Sequence, residues 1–392
     1  MSEQACNIVI MGVSCFDGMA SSMRVRNLIE PLINNKQITA SNLIYQKDNM
    51  EPIGVAGVKN DIRFKIIGFR LANIFSVFPF FYKGLSFIKS CRVKQNKNIL
   101  YNYNYPDIKN IVFIIYAKLI GYKVIFDIIE DNNYQGHIGV MNKFRLKTSL
   151  FIFKFSKKFT NAMIGISNHL YNMIRETFNG KVPAYLIPIT VNLQYFNIQN
   201  KIDSNKKNLK IFYGGSFGQK DGLEYLIKAF DEVANNHSNI ELIFSGLAHT
   251  QDFEKINRQI EQAKNKNRII YKGYLNTDEY YKTLNDCDIF CMTRVNSKFA
   301  NAGFPFKLGE FLASGKAVIA TNIGDVADYL HNDKNALVIA PESVEEIATA
   351  LQTLINNPVK RHDLGIEARK TAEQYFDAEK ISNQLLAIFK SV

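Results

Sequence analysis

A chain of 392 residues is long for one hydrophobic core and fits two domains of ordinary size. With 47% hydrophobic and 21% charged residues it is a folding sequence, which excludes a disordered chain. A net charge of +12 asks for an anionic partner without naming one.

The apolar run Asn7 to Val13, interrupted by Gly12, reads as a first buried strand. SCFDGMASSMRVRNLIEPLI follows as a glycine-containing loop and a helix with Met23, Val25, Leu28 and Leu32 as its apolar positions. From Ile62 to Pro106 there is no carboxylate, while Arg63, Lys65, Arg70, Lys83, Lys89, Arg92, Lys94 and Lys97 alternate with phenylalanines. Either those phenylalanines are core under a rim of solvated bases, or the segment is a basic, apolar interface for an anionic membrane. Pro79 breaks any single long helix across it. KFRLKTSLFIFKFSKKFT (143–160) has the same character, so peripheral contact with an anionic membrane through 62–97 and 143–160 is expected.

ILYNYNYP (99–106) and GYKVIFDIIEDN (121–132) read as parallel strands with IVFIIYAKLI as the helix between them. The second ends in Asp127, Glu130 and Asp131, at the strand edge where open α/β sheets bind ligands. Glu130 and Asp131 are candidates for proton handling, or they cap a helix. His137, nearby, reads as a solvated loop residue. NAMIGISNHLYNMIRE (161–176) reads as strand then helix, capped by Ser167. The polar run NIQNKIDSNKKN (197–208) has no apolar periodicity and reads as a linker.

LKIFYGGSFGQKDGLEYLIKAFDEV (209–233) is a strand, a glycine-rich loop and a helix with Leu223, Leu226, Ile227 and Phe230 on one face. Glycines let a backbone approach a phosphate, and a helix N-terminus favours an anion. Neither GxxxxGK[ST] nor GxGxxG is present, so this is not a P-loop or a dinucleotide fingerprint. IELIFSGL (240–247), RIIYKGYL (268–275) and CDIFCMT (287–293) are three further strands. Asn301 to Tyr329 then reads as a loop, a short helix, a tight turn and a buried strand. Pro305 suits the first helical position, Leu308, Phe311 and Leu312 form the core stripe, and Gly315 supplies a left-handed stop before AVIAT. Lys307 and Glu310 share the other side of that helix; on pattern alone they are a surface ion pair worth about 0.2–0.5 kcal/mol. The closing stretch AEKISNQLLAIFKSV is a terminal helix.

GFPFKLGEFLASGKAVIATNIGDVADY resembles the nucleotide-sugar segment of GT-B glycosyltransferases of the GT4 type. The resemblance implies two Rossmann-like, doubly wound α/β domains facing a cleft, and it extends over residues 7–392, with the sharp motifs in the second half. It implies that Glu310 holds the ribose hydroxyls, and that Gly303, Phe304, Pro305, Phe306, Lys307 and Leu308 line the nucleotide-sugar site. The family's other glutamate, eight positions earlier, is Ala302 here. In the glycine-rich loop the resemblance gives Lys220 the donor diphosphate and lines the loop with Gly215 and Ser216, Ser216 standing where the family often has arginine. It places Gly18 in a loop near the donor phosphates, with Arg24 or Arg26 adding charge, unless this is an ordinary βα connection. It brings Gly273 and Tyr274 to the base. Glu130 matches the second acid of a strand-end motif whose usual histidine or arginine is Ile129 here, and Ile189–Thr190 replace an Asn-Gly turn. The form FPxKLxEFLA is similar to a subgroup of bacterial surface-polysaccharide enzymes.

The resemblance therefore leads to the expectation of a retaining, metal-independent glycosyltransferase that moves a sugar from a nucleotide diphosphate, UDP by family frequency, to an acceptor hydroxyl. The acceptor expected is a saccharide or a polyprenyl-diphosphate-linked oligosaccharide. Lys220 would stabilise the leaving diphosphate and Glu130 would contact the acceptor. No DxD motif stands at a strand end, so no metal is expected, and the nucleotide sugar is a substrate, not a cofactor. A non-catalytic nucleotide-sugar-binding subunit and an inverting GT-B transferase are the alternatives. Nucleic acid is not an expected partner, for no helix-turn-helix, zinc-finger or RNP-like pattern accompanies the charge. The domains are expected at 1–198 (acceptor) and 207–375 (nucleotide sugar), with 376–392 crossing back to the first. Five cysteines without a CxxC pair fit reduced thiols, the N-terminus lacks a signal-peptide pattern, and no stretch reaches the roughly 18 apolar residues of a membrane span. A cytoplasmic protein, peripheral at the inner face of the plasma membrane, is expected.

Overall fold

The computed structural model describes residues 5–16, 19–46, 53–68, 74–134, 140–196, 198, 208–218, 220–247 and 250–392. The chain divides into two compact units, Met1–Pro188 with Ala378–Val392, and Ile189–Asp377. That division falls ahead of the polar run 197–208, most of which lies outside the described residues.

In the first unit β1 (Cys6–Met11) is buried along its whole length, as a central strand covered on both faces must be. It turns at Gly12, whose φ of +85° and 2.6 Å from a notional Cβ to the Tyr103 carbonyl admit no side chain. Helix α1 (Ala20–Asn34) returns over the sheet, with Met23, Val25, Leu28 and Leu32 buried as the spacing required. Strands β2 (Ile38–Tyr45), β3 (Ala56–Lys59) and β4 (Ile62–Ile67) follow, and sequence reading found none of them. Asn60 and Asp61, both at positive φ, make the β3–β4 hairpin turn, the one antiparallel connection among the described strands of this sheet. Then come α2 (Val77–Cys91), β5 (Lys97–Tyr103), α3 (Ile108–Leu119), β6 (Lys123–Ile128), α4 (Val140–Phe155), β7 (Ala162–Gly165), α5 (Asn168–Phe178) and β8 (Ala184–Leu186). The sheet runs β3-β4-β2-β1-β5-β6-β7-β8. Ser167 caps α5 by accepting from the Leu170 amide at 3.2 Å.

The second unit alternates β9 (Leu209–Gly214), α6 (Leu223–Ala234), β10 (Ile240–Ser245), α7 (Thr250–Gln262), β11 (Ile269–Tyr271), α8 (Thr277–Asp286) and β12 (Ile289–Met292). It continues through α9 (Lys298–Ala302), α10 (Phe306–Ala313), β13 (Ala317–Thr321), α11 (Val326–Tyr329), β14 (Leu337–Ile339), α12 (Val344–Asn356) and α13 (Pro358–Tyr375). Its strands are all parallel in the order β11-β10-β9-β12-β13-β14. This is a doubly wound sheet with its switch point between β9 and β12. The closing helix α14 (Ala378–Ser391) packs on α1, where Ser382 Oγ donates to the Asn27 carbonyl at 3.1 Å, so the chain ends in its first unit.

Three expectations change on the fold. The loop read ahead of Pro305 begins as a helical turn, α9, capped by Ser297. Pro305 is the N-cap of α10, not its first residue: its ψ of 102° is extended, and Phe306 opens the helix. Arg24 and Arg26 bring no unpaired charge to a loop. Arg24 is 1% exposed and makes a two-pronged bond to Asp127 at 2.8 and 2.9 Å, also donating to the Ile187 and Pro188 carbonyls. Tyr101 donates to the same carboxylate at 2.6 Å. Burial alone would lower the Arg24 pKa, but the Asp127 charge raises it on balance, so the guanidinium stays charged inside the core. Arg26 pairs with Glu30 one turn on.

Candidate functional site

At the carboxyl ends of β9 and β12 a buried carboxylate shapes the loop that follows β9. Asp221 is 6% exposed and accepts from Ser216 Oγ at 2.7 Å and from the Gly218 amide at 3.2 Å. Tyr213 donates to the Asp221 carbonyl at 3.2 Å from beneath. Gly222 then enters α6 at φ +61°, with its notional Cβ 2.0 Å from the Thr293 carbonyl oxygen, so no side chain fits. Thr293 Oγ1 donates back to Gly222 O at 3.2 Å, and the Val295 amide to Lys220 O at 3.2 Å. The loop is thereby pinned to the segment after β12, and the Lys220 ammonium lies 4.6 Å from the Phe299 ring centre. Gly246, after β10, presses on the same loop, for a Cβ there would stand 1.7 Å from Gly215 O. Its amide donates to Gly273 O at 3.0 Å. Gly273 has φ +67° and open space where a side chain would go, and Tyr274 beside it is exposed.

Helix α10 carries the second half of the site. Leu308, Phe311 and Leu312 face the core, as their spacing required, and Gly315 at φ +69° ends the helical turn. Glu310 is not on a solvated face: it is 4% exposed. Tyr280 donates to its Oε2 at 2.7 Å and Tyr281 to its Oε1 at 3.3 Å. Lys307 Nζ donates to the Tyr280 hydroxyl at 3.1 Å and sits 4.3 Å from that ring's centre, so the phenol bridges cation and carboxylate. Both tyrosines come from α8, whose phase is set by a capping box between Asn276 and Glu279. Tyr195 stacks on Tyr281 at 4.2 Å and 8°. Burial raises the Glu310 pKa, a shift that Lys307 and the two phenols partly offset. Burial lowers the Lys307 pKa, opposed by Glu310 and Asp221. A buried carboxylate with two acceptor positions filled keeps about two more for hydroxyl donors.

At the strand end of β6 in the first unit, Asp131 is 2% exposed and bonds His169 Nε2 at 2.9 Å. It also accepts from the Asn133 amide at 2.9 Å, so it shapes a turn as well as holding an imidazole. Glu130 is half-buried beside it.

The structure groups Gly215, Ser216 and Lys220 on one loop and Lys307 with Glu310 on one helix, and Asp221 acts electrostatically on Lys307 across the two. It does not bring the side chains of Phe304 and Leu308 to a surface. Phe304 packs against Tyr329 and Phe376, and Leu308 is fully buried with its amide bonded to the Pro305 carbonyl at 3.0 Å, so Leu308 does not line a surface as expected. Asp127 is spent on Arg24. Gly18 and His137 lie outside the described residues. Sequence reading missed Tyr280, Tyr281, Asp221 and His169; the paired tyrosines at a capping-box helix were the one available signal.

Residues 194–371 match the family described as glycosyl transferases group 1. Over 184 residues the chain is 22% identical to the capsular polysaccharide biosynthesis glycosyltransferase CapM of Staphylococcus aureus, covering 47% of this chain and 46% of that one. The chain spans about half the length of the curated relatives it matches first, 58% and 46% of them. Sucrose-phosphate synthase from Thermosynechococcus elongatus superposes with a TM-score of 0.75 at 15% identity over 98% of both chains. Anabaena HepE in complex with UDP-glucose superposes with a TM-score of 0.73 at 15% identity over 98% of this chain and 100% of its own. The chain has the GT-B fold of two Rossmann-like domains, and its residues 194–371 match the model of the group 1 glycosyltransferases.

Proposed function

We propose that the protein transfers a sugar from a nucleotide-diphosphate donor, UDP-linked, to an acceptor hydroxyl with retention of anomeric configuration and without a metal. The observation that carries this reading is the Glu310 carboxylate, buried yet only half-occupied, held by two phenols beside Lys307 at the switch edge of the second sheet. Glu310 takes the ribose hydroxyls, and Gly273 with Tyr274 meets the base. Lys220, the amides around Gly215 and Ser216, and the N-termini of α6 and α10 stabilise the departing diphosphate, where negative charge develops. Lys307, kept below its ordinary pKa by burial, adds charge on the same side. The second unit thus holds the donor and the first the acceptor, which Glu130 contacts. HepE is a UDP-glucose-bound protein of the same fold, which favours a UDP-sugar, and CapM acts in capsular polysaccharide synthesis, which favours surface-polysaccharide synthesis; the acceptor in this reading is a lipid-linked saccharide. Work on such an acceptor places the protein at the inner face of the plasma membrane as a cytoplasmic, peripheral protein.

Ala302 supports a second reading. It is 1% exposed and carries no carboxylate where the resemblance has one, as in a subunit that binds nucleotide sugar without turning it over. Purified protein with UDP-, GDP- and dTDP-sugars and an acceptor extract separates these. Turnover with retained configuration by NMR supports the first, inverted product rejects retention, and affinity without turnover supports the second.

A further inference from the structure

We propose that α2, α3 and α4 form one docking face for an anionic lipid surface, with α3 as its middle. This deepens the lipid-linked acceptor reading and rests on it only for the purpose of the face. Sequence reading expected contact through 62–97 and 143–160, but residues 62–67 are strand β4, with Ile62, Ile66 and Ile67 in the core, and Phe80 and Phe87 of α2 are core too. What is left outside is ordered by helix geometry. On α3, Ile108, Val112, Ile115 and Leu119 recur at i, i+4, i+7 and i+11 and are 40–79% exposed, while Phe113, Ile114 and Ala117 opposite them are fully buried. On α4, Phe144, Phe151 and Phe155 follow the same spacing, exposed by 47–64%, with Phe153 turned inward. Phe78 and Tyr82 do so on α2, next to Phe75 at 85%.

The helices lie side by side. A Cβ on Gly84 of α2 would stand 2.4 Å from the Phe113 ring of α3, and α3 packs against α4. All five phenylalanines that are exposed among the described residues belong to this face or the turn leading into it. Large exposed apolar stripes in register on adjacent helices are surface that something covers.

Charge says what covers them. Helices of 15, 12 and 16 residues, at the chain's average of 36 acids in 392, would carry about four carboxylates; they carry none. They carry Lys83 and Lys89, Lys109 and Lys118, and four more bases on α4. A second copy of this chain would set these bases against their like with no carboxylate to neutralise them. Phosphate headgroups supply the missing anions while rings and aliphatic side chains enter the acyl boundary.

The test is sedimentation of the full chain with phosphatidylcholine vesicles and with vesicles of phosphatidylcholine and phosphatidylglycerol. Binding to the anionic vesicles only, weakened by salt, is expected. Lys143→Gln and Lys147→Gln should each cost about fivefold in partition. The pair Phe78→Ser and Phe151→Ser should abolish binding, and Lys228→Glu on the second unit should leave it unchanged. UDP affinity, measured alongside, should be the same in all of these, so failure of the face and failure of the donor site are read separately. No binding to anionic vesicles, equal binding to neutral ones, equal loss in the Lys228 variant, or self-association that Phe78→Ser abolishes would each overturn the proposal.

Discussion

Replacing Glu310 by glutamine keeps the shape of α10, removes the charge and exchanges one acceptor oxygen for an amide NH2. The carboxylate offers about four acceptor positions, and Tyr280 and Tyr281 use two. Glutamine offers a single carbonyl oxygen, so at least one hydroxyl of a bound ribose loses an acceptor. A hydrogen bond to a charged group is worth about 1.5–3 kcal/mol, which corresponds to roughly 10- to 150-fold weaker nucleotide binding. Stability moves the other way. Because burial raises the folded pKa of Glu310, the folded chain holds its proton longer than the unfolded chain does. Native Glu310 therefore costs stability as pH rises from about 4.3, the ordinary value, through the raised one, and that cost persists at neutral pH. The variant should gain in melting temperature relative to the native protein between pH 4 and pH 7 while losing affinity for UDP in titration calorimetry. Unchanged affinity, or a melting-temperature difference that does not grow with pH, would refute this account of the carboxylate.

Lys220→Ala should abolish sugar transfer with an unchanged circular dichroism spectrum; full activity would remove Lys220 from the site. Gly222→Ala must place a Cβ against the Thr293 carbonyl at positive φ, and should destabilise the second unit by about 1–3 kcal/mol in thermal unfolding. A neutral result would mean the loop relaxes freely. Arg24→Met leaves the Asp127 charge buried and uncompensated, and should cost about 3–5 kcal/mol in denaturant unfolding, whereas the double change with Asp127→Asn should recover part of it.

Much of the second unit was legible because its strands are short apolar runs and its helices have clean stripes. Leu223, Leu226, Ile227 and Phe230 all point inward as the spacing required. Gly315 was legible because a helix stop needs positive φ. The hidden strands were β2 and the β3–β4 hairpin, since ITASNLIY mixes polar residues into a buried strand. Asn42 is there fully buried because it bonds the Ile10 and Val13 carbonyls. Periodicity placed Glu310 off the core stripe of α10, which is true of α10 alone. Its burial comes from α8, some thirty residues earlier, and no local pattern carries that contact. For the same reason Arg24 looked like a loop cation: its partner, Asp127, is 103 positions away.

The claim on which the rest depends is that the second unit grips a nucleoside diphosphate through Lys220 and Glu310. Titration calorimetry of the native chain with UDP, GDP and dTDP, repeated on Lys220→Ala and Glu310→Ala, tests it most directly. The account predicts saturable one-to-one binding, strongest for UDP and sharply weakened in both variants. No heat from any of the three nucleotides, or binding that neither substitution affects, would contradict it.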